Sequence, residues 1–593
     1  MATREGPRVH DTAAISGDSG QRLHRLPRHV RLLRRLSGRG LAAPRCAVKV
    51  QRAIAVPAAG GITMLTDHYI PQLTEPSPTL LVRTPYGRGY PWNFLYGALL
   101  AEQGYHVVLQ SCRGTAGSGG KFDPLRHEPA DGQSAVAWLR QQDWFTGQLG
   151  TVGTSYLGYV QWALAIDPPP ELRAMVVQNG LHDERELLYR GGAFALQDAV
   201  TAAATTMAFQ RGFGRLFPAM LRLQRHRRRL ARTLPLPDAY PPATGGRIGF
   251  LDQWLAHHDA ADPYWEGLRI PAAAAAPPVP VCLVTGWQDI ALDQTLQQYA
   301  RMRAAGREVR LMVGPWSHTS GFSTDLPMIT GDAVHWLDER LRGRGGPERP
   351  RVSVHVTGAG WRDLPDWPPP QARPQCWYPG ADGSLSPQPP QRPGRASLHY
   401  DPAAPTPSAG GPVLTARPPR RAGRDKLQGR ADVLSFTSQP LGSPLEVTGP
   451  VAARLLVRSS NPHFDVFARL VDLGPAGRSA VVCDGLLRHE PGSCSGPGEQ
   501  GGCLMTVSMS SAGYRFAAGH RLRLQIAAGA HPRFARNTGT AEPPATATAL
   551  VPADIGILLD AAASSALLLP VPAGGAAGST TVPATTSGTE RSR

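Results

Sequence analysis

Cysteine is scarce in this chain. Seven residues, Cys46, Cys112, Cys282, Cys376, Cys483, Cys494 and Cys503, are spread over 593 positions, with no C-x-x-C and no Cys/His cluster at zinc spacing. This excludes a disulfide-knit scaffold and a zinc-finger module, and it is compatible with a reducing compartment. Lysine is scarcer still, at Lys49, Lys121 and Lys426, so the formal charge of +17 rests almost wholly on arginine. Aromatic residues are only 7% and are not interleaved with the basic runs, which leaves a nucleic-acid reader without base-stacking groups. No apolar run is long enough for a transmembrane helix. The leucines of the N-terminus are repeatedly interrupted by arginine, unlike a secretory signal, and a cytoplasmic location is the expectation. Walker and Rossmann fingerprints are missing, which agrees with the expectation, from the serine chemistry read below, that neither a metal nor an organic cofactor is needed.

What is present is globular in character: 41% hydrophobic residues, 18% charged, 65 Gly and 58 Pro. The length exceeds what one hydrophobic core supports and implies several domains. Residues 1–47 form a basic extension, expected to be disordered, and residues 1–52 carry a net charge of +9. From Val48 to residue 180, apolar strand runs (TLLVRTPY, YHVVLQ, LGTVGT, RAMVVQ) alternate with helical patterns of ten or so residues. Such alternation predicts a parallel sheet covered on both faces. The alternation stops over 181–273, where helix-like pieces and Pro-rich joints suggest a helical insertion with no strand run. The basic run Arg222–Arg232 (RLQRHRRRLAR) lies there and reads as a solvated helix face. Strands return over 274–348 with VCLVTG and VRLMVG. Residues 349–573 hold many short strands between Pro-rich loops, the grammar of a β-sandwich or jelly roll. The Gly/Ala/Ser/Thr/Pro tail 574–593 is expected to be disordered.

The most informative segment is Leu149-Gly150-Thr151-Val152-Gly153-Thr154-Ser155-Tyr156-Leu157-Gly158. A strand enters a G-x-S turn and leaves at once as a helix, the arrangement that exposes a serine hydroxyl at the carboxyl edge of a sheet. The usual second glycine of G-x-S-x-G is replaced by Leu157, and Gly158 follows it. Such a serine needs a histidine to take its proton and a carboxylate to orient that histidine. Two later strand ends offer them, Asp289 after VCLVTG and His318 after VRLMVG, in the order Ser, Asp, His. Asp293 is an alternative acid, and His182, His257 and His258 are alternative bases.

Five ordered segments, RTPYGRG (83–89), SCRGTAGSGGKF (111–122), residues 131–162 around Ser155, VTGWQDI (284–290) and VGPWSH (313–318), together with AHPRFARN (530–537), resemble the cocaine-esterase / X-Pro dipeptidyl-peptidase serine hydrolases. These are also called CocE/NonD or S15-type hydrolases. The resemblance spans residues 48–568 and implies an α/β-hydrolase domain with an inserted helical cap, followed by a C-terminal all-β jelly-roll domain. It implies Ser155 as nucleophile, Asp289 as acid and His318 as base. It further implies an oxyanion hole made by the Tyr86 hydroxyl and the Tyr156 backbone N–H. Trp144, Trp287 and Trp316 are candidate pocket walls. The expected reaction is acyl transfer to water on a small ester, with an Xaa-Pro peptide or another amide as alternatives. An inactive hydrolase domain carrying a binding β-sandwich is the remote one. A peptidase of this type has to bind a free α-ammonium, and the cap offers Asp183, Glu184, Glu186 and Asp198. The expected partners are a small ester or short peptide and no specific nucleic acid; assembly as a homo-oligomer stays open.

Overall fold

The uninterrupted apolar runs of the first half become strands buried on both faces. In a computed structural model, which describes residues 23–25, 40–414, 425–492, 494, 502–559 and 565–572, they form one large mixed sheet. Its strands are β1 (Val48–Ala58), β2 (Ile62–Pro71), β3 (Thr79–Thr84), β4 (His106–Ser111), β5 (Leu149–Thr154), β6 (Leu172–Gln178), β7 (Val281–Gln288), β8 (Val309–Ser317), β9 (Val352–Val356) and β10 (Gly360–Leu364). The order across the sheet is 1-2-4-3-5-6-7-8-9-10. The seven strands β3 to β9 run parallel, and every residue of β3 and β5 is buried. β1 and β2 are antiparallel, which suits their alternating burial.

The covering helices include α1 (Glu128–Leu139), α2 (Tyr156–Leu164), α3 (Glu184–Leu188), α4 (Leu196–Gln210), α5 (Leu216–Arg232), α6 (Gly249–Ala256), α7 (Leu292–Ala304) and α8 (Leu326–Arg342). Helices α3 to α6 all lie between β6 and β7 and form the cap. The cap also holds a short hairpin, Tyr189–Arg190 against Ala193–Phe194, where no strand is expected from sequence. Gly191 and Gly192 turn it with positive φ, and the run is too short to show a period of two. The first helical stretch is likewise irregular: FLYGALLAEQG begins as a π-turn over Asn93–Ala98 before one α-turn.

One sequence expectation needs correction. The extension 1–47 is not structureless throughout, because Leu23–Arg25 pairs antiparallel with Lys49–Gln51 at the sheet edge. Arg45 also donates to Asp338 on α8 at 2.8 Å, and its N–H bonds the Glu102 carbonyl. Residues 1–22 and 26–39, and the tail 574–593, lie outside the described residues. One disulfide joins Cys494 to Cys503, with Cα atoms 5.4 Å apart, among the described residues. Spacing alone hides this pair, since neighbouring strand ends bring the two together.

The C-terminal region is a β-sandwich with its own core, in which Phe436, Val447, Leu455, Phe516, Leu524 and Ile557 are buried. Its longest pair is Leu445–Ser459 against Cys503–Phe516. The sandwich is stitched to the first sheet. The Thr357 N–H bonds the Gly513 carbonyl at 2.9 Å, and the Arg515 N–H bonds the Thr357 carbonyl at 2.8 Å. It also meets the cap, where the Arg488 and Ala535 N–H groups bond the Gly191 and Phe194 carbonyls. Among the described residues, no helix is long and apolar enough to cross a membrane.

Candidate active site

Strand β5 ends at Thr154 and α2 begins at Tyr156, so a single residue makes the turn. Ser155 makes it at φ +58°, ψ −121°, a conformation that costs a β-carbon-bearing residue about 1–3 kcal/mol. The bend is held from outside. The Ser155 N–H donates to the Gln178 carbonyl at 2.9 Å, and the Gly158 N–H returns to the Ser155 carbonyl at 2.7 Å. A side chain at Gly153 would collide with the Leu157 side chain, and one at Gly158 would sit 2.8 Å from Gly180 Cα. The displaced glycine of the motif therefore lets α2 approach the turn after β6.

The next strand ends complete a hydrogen-bonded chain. His318, one residue past β8, has Nε2 at 2.9 Å from Ser155 Oγ and Nδ1 at 2.6 Å from Asp289 Oδ1. Asp289, one residue past β7, accepts at Oδ2 from the Thr285 hydroxyl (2.7 Å) and at Oδ1 from the Ala291 N–H (3.0 Å). Its negative charge is thus fully hydrogen-bonded although the residue is buried. Asn179 Nδ2 donates to the His318 carbonyl at 2.7 Å and fixes the loop that carries the imidazole. Asn179 has positive φ, and no sequence signal singles it out. Asp293 instead bonds Ser510. His257 pairs with Asp262 at 2.7 Å, and no bond joins it, His182 or His258 to Ser155.

Tyr86 lies two residues past β3, and its hydroxyl meets the Ser155 side chain and the Tyr156 N–H. Burial pushes its hydroxyl up to about 12. The ring stacks on Trp92 at 5.0 Å. The Tyr156 side chain points the other way, into a buried polar network. Its hydroxyl donates to Glu128 Oε1 (2.7 Å) and accepts from the Leu125 N–H (2.8 Å). Glu128 Oε2 meets the buried Arg83 guanidinium at 2.8 Å. Beside it Arg113 grips Asp131 in a bidentate pair, at 3.1 and 2.5 Å.

Above Ser155 is a cavity of about 400 Å³, also lined by Tyr86 and His318. The sheet domain supplies Trp92 and Phe322, and the cap supplies Leu187, Phe209, Met220 and Trp254. Glu184, the first residue of α3, is the one acidic residue in this lining among the described residues. It is 8% exposed, and its carboxyl makes no hydrogen bond or ion pair with the described residues. Burial first, then the Asp183 charge, pushes its carboxyl up to about 8.

The three tryptophans expected as pocket walls are elsewhere. Trp287 and Trp316 belong to β7 and β8, which run past their expected ends at Gly286 and Gly314. Trp287 bonds the His355 carbonyl against the sandwich, and Trp316 bonds Asp325. Trp144 stacks on His68 at 4.0 Å beneath the sheet domain. His489, Cys494 and Cys503 are the one trio whose ligand atoms are close enough to share a metal ion, among the described residues. Their two sulfurs are bonded to each other.

A strained serine between strand and helix, inside an α/β-hydrolase sheet, marks a serine-type hydrolase. Two family models extend this. The X-Pro dipeptidyl-peptidase (S15 family) model matches residues 60–320, and that of the X-Pro dipeptidyl-peptidase C-terminal non-catalytic domain matches residues 346–568. The chain belongs to the S15, or CocE/NonD, family of serine hydrolases. The cocaine esterase of a Rhodococcus species is 29% identical over 534 residues, covering 82% of this chain and 92% of that protein. Among solved structures, an aminopeptidase from a marine sediment Thaumarchaeota archaeon has a TM-score of 0.75 at 21% identity, covering 89% of this chain and 97% of its own. An α-amino acid ester hydrolase has a TM-score of 0.73 at 21% identity, covering 95% and 100%. These two likenesses speak to the fold.

Proposed function

We propose that this hydrolase cleaves carboxylic esters through an acyl-enzyme on Ser155. As Ser155 Oγ attacks the carbonyl carbon, His318 Nε2 takes its proton. Asp289 holds the imidazole in the tautomer with Nδ1–H and stabilises the imidazolium. The Tyr86 hydroxyl and Tyr156 N–H, at the N-terminus of α2, receive the oxygen as it becomes an oxyanion. His318 then gives its proton to the leaving alcohol and next takes one from water, which releases the acid. The observation that carries this reading is the hydrogen-bonded series Asp289–His318–Ser155 opening into an apolar cavity. A fluorophosphonate probe tests it: mass mapping is expected to place the adduct on Ser155, and labelling that persists in a folded Ser155→Ala protein refutes the assignment.

Glu184 favours a second reading, an Xaa-Pro dipeptidyl-peptidase that holds a substrate α-ammonium against that carboxyl. The ester reading expects kcat/KM for p-nitrophenyl acyl esters to exceed that for Ala-Pro-p-nitroanilide by about a hundredfold or more. The reverse preference, lost in Glu184→Gln, supports the peptidase. A cytoplasmic location is the reading of the N-terminal pattern, and the Cys494–Cys503 disulfide counts against it.

A further inference from the structure

The basic run Arg222–Arg232 has no part in the chemistry, yet it forms the outer face of a helix whose inner face lines the cavity. Between Asp198 and Asp238 there is no acidic residue, while eight arginines occur: Arg211, Arg215, Arg222, Arg225, Arg227, Arg228, Arg229 and Arg232. The two bounding acids are already engaged, Asp198 by Arg190 and Asp238 by Arg247. None of the eight arginines makes an ion pair with the described residues. All eight arginines are exposed. An excess of one sign on a single element is a cost to the folded monomer, and a surface of opposite sign relieves it.

Aromatic exposure accompanies the charge. Phe217 is 76% exposed and Phe213 46%, in a protein where few large apolar side chains are exposed. At 100° per residue, Phe217, Leu221, Arg225, Arg228 and Arg232 fall within a sector of about 80° on α5. The opposite side buries Ala219 and Leu230 and puts Leu216 and Met220 into the cavity wall. Phe213 packs edge-on against Tyr90 at 4.8 Å and lies 6.2 Å from Phe209, which itself packs on Tyr86 at 5.7 Å. Apolar contacts thus lead from the exposed rings to the oxyanion tyrosine.

We infer that α5 is a docking surface for an anionic lipid layer. The arginines meet the headgroup phosphates and Phe213 and Phe217 enter the acyl boundary, so that esters dissolved in the layer pass along the helix into the cavity. The substrate half of this inference rests on the ester reading above; the docking half does not. Arginine alone would suit any polyanion. The solvent-facing Phe217, at the apolar end of the same stripe, selects lipid, because interfacial helices combine basic side chains with inserted aromatics. A nucleic acid would find no sequence-reading group on this face.

The test is co-flotation of the full chain with phosphatidylcholine vesicles, with and without phosphatidylglycerol. Binding is expected only with the anionic lipid and is expected to weaken with salt. Each of Arg225→Gln, Arg228→Gln and Arg232→Gln is expected to lower vesicle affinity roughly fivefold. Phe217→Ser is expected to lower it roughly tenfold or more. Turnover of a soluble p-nitrophenyl ester by these variants is expected to stay at the wild-type level, and thermal melts verify folding. Vesicle binding that survives the α5 substitutions but vanishes on removal of residues 1–39 assigns the interaction to the basic extension and overturns the proposal. Binding that ignores Phe217→Ser and is displaced equally by heparin identifies a general polyanion site, which also overturns it. Absence of binding at low salt does the same. Docking that is intact while ester turnover is absent refutes the ester reading instead.

Discussion

Tyr86 and Tyr156 flank Ser155 and use different parts of themselves. The proposed oxyanion donors are the hydroxyl of one and the backbone N–H of the other, so their phenylalanine variants are expected to diverge. Tyr86→Phe removes a donor while keeping the ring on Trp92. It is expected to slow acylation by roughly a hundredfold or more, read by stopped flow with an activated ester, at nearly unchanged thermal stability. Tyr156→Phe keeps the N–H but removes the partner of Glu128 Oε1 and of the Leu125 N–H, while Arg83 still holds Glu128 Oε2. It is expected to lower stability by about 1–3 kcal/mol in a denaturant titration, with acylation within tenfold of wild type. Glu184 behaves differently again. Its carboxyl sits near 8 when folded, against an ordinary value of about 4.5. The unfolded chain therefore releases this proton first, and folding loses stability as pH rises between those values. Glu184→Gln is expected to gain thermal stability over wild type as pH is raised from 6 to 9, and a pH-independent difference refutes this. Its place in the cavity wall was hidden in sequence, because Asp183, Glu184, Glu186 and Asp198 look alike until packing turns Glu184 towards the cavity.

The strand ends determine which acid serves the imidazole. Asp289 follows β7 directly, whereas Asp293 is carried round the first turn of α7 towards Ser510. Asp289→Asn is expected to cost on the order of 10⁴ in kcat with the fold intact, and Asp293→Asn little; the opposite result in steady-state kinetics reverses the assignment. The parallel strands were readable because burial on both faces leaves continuous apolar runs, and the chemistry of such sheets gathers where those runs stop. Their last residues were less readable. Trp287 and Trp316 lie within the strands, so they pack on the faces of the sheet, while Trp92 reaches the cavity from the segment after β3 and Trp254 from α6 of the cap. Strands β2 and β4 carry a second hidden pair: His68 Nε2 and His106 Nδ1 lie 2.9 Å apart under Trp144. Burial lowers His106 to about 4, and burial together with the neighbouring His106 lowers His68 to about 3. The unfolded chain takes up these protons first, so stability is expected to fall as pH drops from about 6.5 towards 4. Urea titrations at pH 7 and pH 5 measure this, and a His68→Asn/His106→Asn protein is expected to show a flatter profile.

On the scale of the whole molecule, three layers of contact meet around the cap: its own helices, the sheet below and the sandwich beside it. The cap and sandwich were visible in the sequence as changes of grammar, but their docking was not, since it runs through backbone groups such as the Gly191 and Phe194 carbonyls. Likewise nothing in the composition of the first 47 residues shows that three of them close a sheet. Strand β1 spans eleven residues, and Leu23–Arg25 occupies the hydrogen-bonding groups of Lys49–Gln51 on its outer side. An uncovered edge of that kind is a template for another chain. The short strand is therefore expected to guard this stretch of the edge against self-templating. A protein lacking residues 1–39 is expected to hydrolyse esters normally when dilute, yet to associate as its concentration rises. Light scattering across a concentration series would register the growth, and strictly monomeric behaviour would remove the role.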